Sequence, residues 1–418
     1  MVSATTIKLD SDGNGSHLVE LENAHCAVPE VAASVKRLIP CLVRPVILRR
    51  CLAQSTILPS TVPAIPHFCR RRYATSPVAD RAEKLPTSAS NGVSEPYQLV
   101  ENDLALIYSD IKSELNCDLP ELVELAQYYF STHGKAFRPM IALLMAAVCG
   151  KHRGGLPQNV VQKQRKVAVI VEMIHTASLI HDDVIDEAAT RRNQPSLHKV
   201  WGEKKAILTG DYILSVASRE LARLRNPEVI ICLSQIIEDL VKGELMQLGS
   251  KDPAATGRLA TYLSKTYHKT ASLMANGCKA VAILGGCTPE LVERSFLFGK
   301  NLGMAFQLVD DNLDFISSAE EMGKPTSVDM ELGLATAPVL FAAEKASDLD
   351  ALIARRFRGP GDVLKAKQSV MEHGGVEQTK MLAASYSQEA VSQLSAFAES
   401  EEREALVKLA DMVLDRTK

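Results

Sequence analysis

Residues 165–192, RKVAVIVEMIHTASLIHDDVIDEAATRR, set three aspartates behind a long apolar run. Residues 165–180 contain no Gly or Pro and read as a core helix rather than a loop. The helix is expected to continue through Asp182, Asp183 and Asp186, with Asp182 and Asp186 on one face and Asp183 about 100° away. Asp is a weak helix former in interior positions, and like charges at i,i+4 repel by about 0.3 kcal/mol. The helix gains nothing from three aspartates on one buried turn, so a cation is the expected reason for them.

A second stretch, AFQLVDDNLDF (305–315), repeats the pattern with Asp310, Asp311 and Asp314. In a chain with 50 acidic residues, one DDxxD is equally well read as a solvated helix face. Two, each behind a hydrophobic helix, point instead to facing helices whose carboxylates project into one cavity, as metal sites in helical bundles are built. All-oxygen ligands favour a hard cation. Mg²⁺ retains waters and binds one or two carboxylates plus substrate phosphates, so the expectation is half a site, completed by a diphosphate. Basic residues stand where such a group would need them. Arg191 and Arg192 follow the first motif, Lys135 and Arg138 lie in HGKAFRP (133–139), and Lys324 lies in GKPT (323–326). Arg grips phosphate oxygens with a bidentate fork and Lys as a point charge. Singly, each would read as a solvated surface charge.

The rest of the chain agrees with an all-α fold. Aromatic content is only 5%. Ala, Leu, Glu and Lys fill long segments of helical period. From Pro96 to Lys418 we read a single large helical bundle with a central cavity. Breaks are expected at Gly134, 150–157, 192–196, 226–227, 285–289, 323–326 and 358–362, and no repeat suggests a solenoid. A formal charge of -3 gives no case for nucleic acid as a partner. The longest apolar runs, such as MIALLMAAVC (140–149), are too short for a transmembrane segment. The nine cysteines form no CxxC pair, which removes a zinc signature and leaves reduced, mostly buried thiols as the expectation.

The N-terminal part is different. Residues 31–79 contain no acidic residue, whereas Lys36, Arg37, Arg44, Arg49, Arg50, Arg70, Arg71 and Arg72 are basic. That is the composition of a mitochondrial (matrix) targeting segment, 1–73, with RRRYATS (70–76) as a processing site. The acidic residues Asp10, Asp12, Glu20, Glu22 and Glu30 disagree, so either the signal is internal or the true start lies downstream of Met1. A basic arm without an address, or a plastid address, has a similar composition. Residues 74–95, with Pro77, Pro86 and a Ser/Asn/Gly cluster, read as a linker.

In order, HGKAFRP, EMIHTASLIHDDVIDEAATRR, WGEKKAILTGD, KTYHKTASLMANGCKA, AFQLVDDNLDF and MGKPTSVDMELGLATAPVLF resemble the trans-prenyltransferase family of isoprenyl diphosphate synthases. The resemblance spans about 97–418 and is nearest to subunit 1 of the animal all-trans decaprenyl or solanesyl diphosphate synthases. Many members carry a further cation where Ala136 stands. The resemblance implies the isoprenoid synthase fold. It implies that Lys135, Arg138, His175 and Arg192 hold isopentenyl diphosphate and that Arg191 holds an allylic diphosphate such as farnesyl diphosphate. Asp182, Asp183, Asp186, Asp310, Asp311 and Asp314 would bind Mg²⁺, three ions per site with diphosphate present. Lys269, Thr270 and Gln307 would lie beside the reacting carbons, Lys324 would complete the cage, and the terminal residues 415–418 resemble a basic tail folded over the site. It also implies a homodimer, or a heteromer with a related subunit 2, feeding the ubiquinone side chain. His175 matches a family position; His181 does not, and both also read as hydrogen-bonding helix residues.

Ala177 and Ser178, one turn before Asp182, would form the floor of the tunnel for the growing tail. Short-chain members carry bulky aromatics there, so small residues imply a long product, with Ile174, Val171 and Ile170 next along the stripe. Ordinary core packing is the competing reading of that stripe. The alternatives for the whole chain are a short-chain synthase, a class I terpene cyclase, whose second motif mixes other residue types, and a non-catalytic partner subunit, which would lose aspartates that this chain keeps.

Overall fold

The computed structural model describes residues 96–131, 136–192, 194–249, 257–320 and 328–416. The expected leader (1–73) and linker (74–95), Lys135 and Lys324 lie outside them, as do the breaks expected at Gly134 and 323–326. The described residues form helices α1 (Glu101–Glu114), α2 (Phe137–His152), α3 (Gln158–Ile185), α4 (Glu203–Arg223), α5 (Pro227–Gly249), α6 (Arg258–Thr266), α7 (Ser272–Leu284), α8 (Pro289–Glu320), α9 (Gly375–Leu394) and α10 (Glu401–Leu414), with shorter helices between them. One two-stranded hairpin, β1 (Thr190–Arg191) against β2 (Gln194–Pro195), is the sheet among these residues. The all-α expectation holds.

Two helices are apolar all round and lie inside. α2 buries Met140 to Ala146, Val148 and Cys149, so the run too short to cross a membrane is a core helix; α7 buries nearly every residue from Ser272 to Ala282. Around them, α3 packs along α2 and α4, α5 along α7, and α8 along α7 and α9. Among the described residues no helix is long and apolar enough to span a bilayer. Cys149, Cys232 and Cys278 are buried free thiols, and Cys117 and Cys287 are partly exposed ones.

The helix ends follow their sequence signals. Asn226 Oδ1 accepts from Val229 N at 3.1 Å, and Pro227 opens α5. Ser400 Oγ accepts from Arg403 N at 3.2 Å, with Glu401, Glu402 and Glu404 in the first turn of α10. Two features bring α8 close to α7. A Cβ on Gly299 would lie 2.5 Å from Met274 O, and one on Gly303 would lie 2.6 Å from Ala271 Cα. The second, Tyr267–Ala271, is a π-helical turn joining α6 to α7 in a run without Gly or Pro. That turn carries Lys269 and Thr270, and such turns are frequent at functional sites.

Candidate active site

The first motif ends α3 rather than continuing it. Asp186 is its C-terminal cap, with its N–H on Asp182 O at 2.8 Å, and Glu187 turns left-handed at φ 54°. The expected single buried turn is therefore corrected: Asp183 is buried, Asp182 half-buried and Asp186 exposed. Asp183 also points away from the cavity that the other two line. Its Oδ2 accepts from the Tyr129 hydroxyl at 2.7 Å, and its Oδ1 from Arg191 Nε at 2.8 Å and Nη2 at 2.6 Å. Tyr129 Oη in turn accepts from Leu197 N at 2.9 Å, and Tyr129 O from Arg192 Nη1 at 3.2 Å. The hairpin places the two arginines: Arg191 ends β1, and Arg192 takes a left-handed φ of 52° in the turn.

The second motif lies on α8. Asp310 is exposed and pairs with Arg416 at 3.5 Å. Asp311 is buried and accepts from Tyr262 Oη at 2.5 Å and Gln307 Nε2 at 2.8 Å; Thr270 Oγ1 donates to Gln307 Oε1 at 2.9 Å. Asp314 accepts from Asp329 N at 3.4 Å and does not line the cavity.

A cavity of about 380 Å³ brings together Asp182, Asp186, Asp310, Asp311, Arg191, Lys269, Thr270 and Gln307, with Ser178 on its wall. Burial pushes Asp182 up to about 6, against the opposing charge of Lys269, and Asp311 up to about 6, against its hydrogen bonds from Tyr262 and Gln307. Burial, then Asp311 and Asp314, push Asp329 up to about 7. Asp186 and Asp310, though each keeps a face to solvent, are also raised, first by their partial desolvation at the cavity. The cavity thus sets Asp182, Asp186, Asp310, Asp311 and Asp329 against Arg138, Arg191, Lys265 and Lys269, with Arg191 already paired to Asp183 outside the lining. Among the described residues no group of three or more His, Cys, Asp or Glu forms a ready metal cage. Carboxylates offered from two sides without a cage fit Mg²⁺, which takes few protein ligands and completes its shell with water and phosphate oxygens.

A second cavity, of about 610 Å³, adjoins the first at Arg138, His175 and Phe306 and adds Arg192, Glu172 and the α10 side chains Leu409, Met412 and Val413. Ala136 precedes α2 at φ 45°, and Arg138, two residues on, lines both cavities. Arg138 Nη1 donates to His175 Nε2 at 3.0 Å. Burial, then Arg138, hold His175 well below its ordinary value, so its imidazole is neutral and accepts that bond. Arg416 stacks 4.3 Å above the Phe306 ring.

Three placements differ from the sequence reading or narrow it. Ala177 is fully buried in the core, because a step of about 100° turns it off the Ser178 face. Ile174, Val171 and Ile170 are packed core as well. His181 Nε2 bonds Ile207 O at 3.2 Å beside α4, away from the carboxylates' cavity. Sequence reasoning missed Tyr129, Glu172, Tyr262, Lys265 and Asp329. Asp329 follows GKPT closely enough to be suspected; the others act through partners far along the chain. It also missed Glu244 and Gln247, which accept from Lys269 Nζ at 2.5 Å and 3.3 Å and whose i,i+3 spacing was the available signal.

The polyprenyl synthetase family pattern matches residues 119–370. Human all trans-polyprenyl-diphosphate synthase PDSS1 is 49% identical over 357 residues, 85% of this chain and 84% of that protein. The probable hexaprenyl pyrophosphate synthase, mitochondrial, of Neurospora crassa is 40% identical over 78% of this chain and 82% of its own length. The crystal structure of polyprenyl synthase from Caulobacter crescentus CB15, complexed with calcium and isoprenyl diphosphate, superposes with a TM-score of 0.69 at 30% identity, covering 79% of this chain and 99% of that one. On these likenesses, and with its helical fold around two adjoining cavities, the chain belongs to the polyprenyl synthetase family.

Proposed function

We propose that this protein is a Mg²⁺-dependent all-trans polyprenyl diphosphate synthase, which adds isopentenyl diphosphate to an allylic diphosphate to build a long-chain product for the ubiquinone side chain. The observation that carries the reading is the adjoining pair of cavities, one rich in carboxylates and one in cations, sharing Arg138, His175 and Phe306. The allylic diphosphate takes the carboxylate side, where Asp182, Asp186, Asp310 and Asp311 hold Mg²⁺, three ions with diphosphate present. Asp183 and Asp314 support that set from behind. The bound metal supplies charge stabilisation for departing pyrophosphate.

Arg191 and Lys269 meet the same leaving group, and Thr270 and Gln307 present their oxygens beside the ionising carbon. Lys135, Arg138, Arg192 and the neutral His175 hold isopentenyl diphosphate so that its double bond faces that carbon, and Lys324 completes the cage around the allylic diphosphate. The allylic C–O bond breaks, the isopentenyl double bond forms the new C–C bond, and a proton passes to the released pyrophosphate. Phe137, Phe306 and the apolar face of α10 exclude water. The chain acts in the mitochondrial matrix, in keeping with its basic leader composition and the mitochondrial relative.

It works as a homodimer or with a related second subunit. Ile231, Val241, Leu245 and Leu248 stand exposed along one side of α5, with Leu208 exposed on α4, which supports an association face there. Purified protein given farnesyl diphosphate and isopentenyl diphosphate should release pyrophosphate with Mg²⁺ and stop with EDTA. Release that ignores Mg²⁺ would contradict the reading. Sedimentation of the L245E/L248E variant should show loss of the oligomer.

A further inference from the structure

In GELMQ, residues 243–247 of α5, the two polar side chains converge on one lysine. Lys269 leaves the π-helical turn with Nζ 2.5 Å from Glu244 Oε2 and 3.3 Å from Gln247 Oε1. Glu244 and Gln247 stand three residues apart and share a helix face. Gly243 permits the approach: a Cβ there would lie 2.6 Å from Lys269 Cγ and 3.0 Å from Lys269 N. Glu244 is largely buried, and its Oε1 has no hydrogen-bond partner among the described residues, so its one contact of this kind is with the ammonium. Lys269 and the carboxylates Asp182 and Asp186 line the same cavity.

We propose that Glu244, supported by Gln247, is the positioning residue of Lys269, holding its ammonium at the edge of the diphosphate site and off the first motif. The inference rests on the function proposed above. An ammonium has three donors, and two are taken by Glu244 and Gln247, which leaves one for a phosphate oxygen. Were Glu244 removed, the cavity carboxylates on which the Lys269 charge already acts, Asp182 and Asp186, would be left to attract the ammonium. A lysine paired there occupies oxygens that a divalent cation needs. Glu244 thus keeps the metal carboxylates open and the lysine aimed, by offering the lysine a competing partner.

The test is a double-mutant cycle in the full chain with E244A, K269A and E244A/K269A. Two quantities are read: half-saturating Mg²⁺ for condensation, and Mg²⁺-dependent binding of inorganic pyrophosphate by calorimetry. E244A should raise half-saturating Mg²⁺ about tenfold, weaken pyrophosphate by about tenfold, and leave KM for isopentenyl diphosphate unchanged. E244Q, which keeps an oxygen acceptor, should recover most of the loss, and it carries the cycle should E244A fail to fold. In the K269A background the Glu244 substitution should change nothing further. An equal loss with and without Lys269 would overturn the proposal, because Glu244 would then be acting by itself, as a ligand or a structural prop. Should the pyrophosphate cycle behave as expected in a chain that condenses no isopentenyl diphosphate, the positioning role stands and the proposed function fails.

Discussion

Arg191 meets Asp183 with two nitrogens on one oxygen, Nε at 2.8 Å and Nη2 at 2.6 Å from Oδ1, while the Tyr129 hydroxyl holds the other oxygen at 2.7 Å. The middle aspartate of the first motif is therefore spent on presenting an arginine. Removing one partner of such a buried pair costs about 3 kcal/mol. D183N should lower unfolding free energy by about that amount in urea titrations. D182N, on the cavity wall, should not lower the stability of the metal-free protein, since it removes a carboxylate that burial disfavours in its charged form, and should reduce kcat on the order of 100-fold, as losing one charge-stabilising group does.

The raised carboxylates give the metal-free protein a pH signature. Asp182 and Asp311 stand at about 6 and Asp329 at about 7, above the ordinary carboxylate range. Between that range and those values the folded chain keeps protons that the unfolded chain has released. The contribution of these groups to stability is present at low pH and is lost as pH rises from about 4 to about 7. In EDTA the melting temperature should fall over about pH 4 to 7. Mg²⁺ with pyrophosphate should restore it most at the upper end, where the ligands are deprotonated. A melting temperature independent of pH in EDTA would count against this picture.

Ser178 lines the cavity, and Ala177 beside it is sealed in the core. S178F should therefore shorten the products, read by chromatography of the dephosphorylated alcohols, with little loss of stability. A177F should overpack the core, costing about 1–3 kcal/mol in unfolding measurements. If A177F folds normally and shortens the product more than S178F, the floor lies on the other face of α3.

Gly303 sets the distance between α8 and the π-helical turn, since a Cβ there would lie 2.6 Å from Ala271 Cα. G303A should push Gln307 away from Thr270, now bonded at 2.9 Å. The expected outcome is a fall in kcat of at least about tenfold, as small misplacements near the chemistry produce, together with a lower melting temperature. Unchanged kinetics would mean that the Thr270 to Gln307 contact does not serve the reaction.

Periodicity made the helices legible, and Asn226 and Pro227 and the glycines of 150–157 marked their ends. The shared cavity was legible from the two repeated motifs, because each aspartate pattern lies on the helix that carries it inward. What stayed hidden depends on partners distant in sequence. Asp183 looks identical to Asp182 until Tyr129, 54 residues away and itself held by Leu197 N, is folded against it. Asp311 likewise takes its burial from Tyr262, 49 residues away. The π-helical turn has no Gly or Pro to announce it; it forms where α5 and α8 press on the chain through Gly243 and Gly303. Glu187 ends α3 with a left-handed residue that its type does not favour, so Asp186 read as helix.

The central claim is the condensation itself, and its most direct measurement is incorporation of labelled isopentenyl diphosphate onto farnesyl diphosphate by the full chain, alone and with a related second subunit, with products resolved by length. The account predicts Mg²⁺-dependent products of solanesyl to decaprenyl length, strongly reduced in D182N and D310N. No Mg²⁺-dependent product in either format, or products no longer than geranylgeranyl diphosphate, would contradict it.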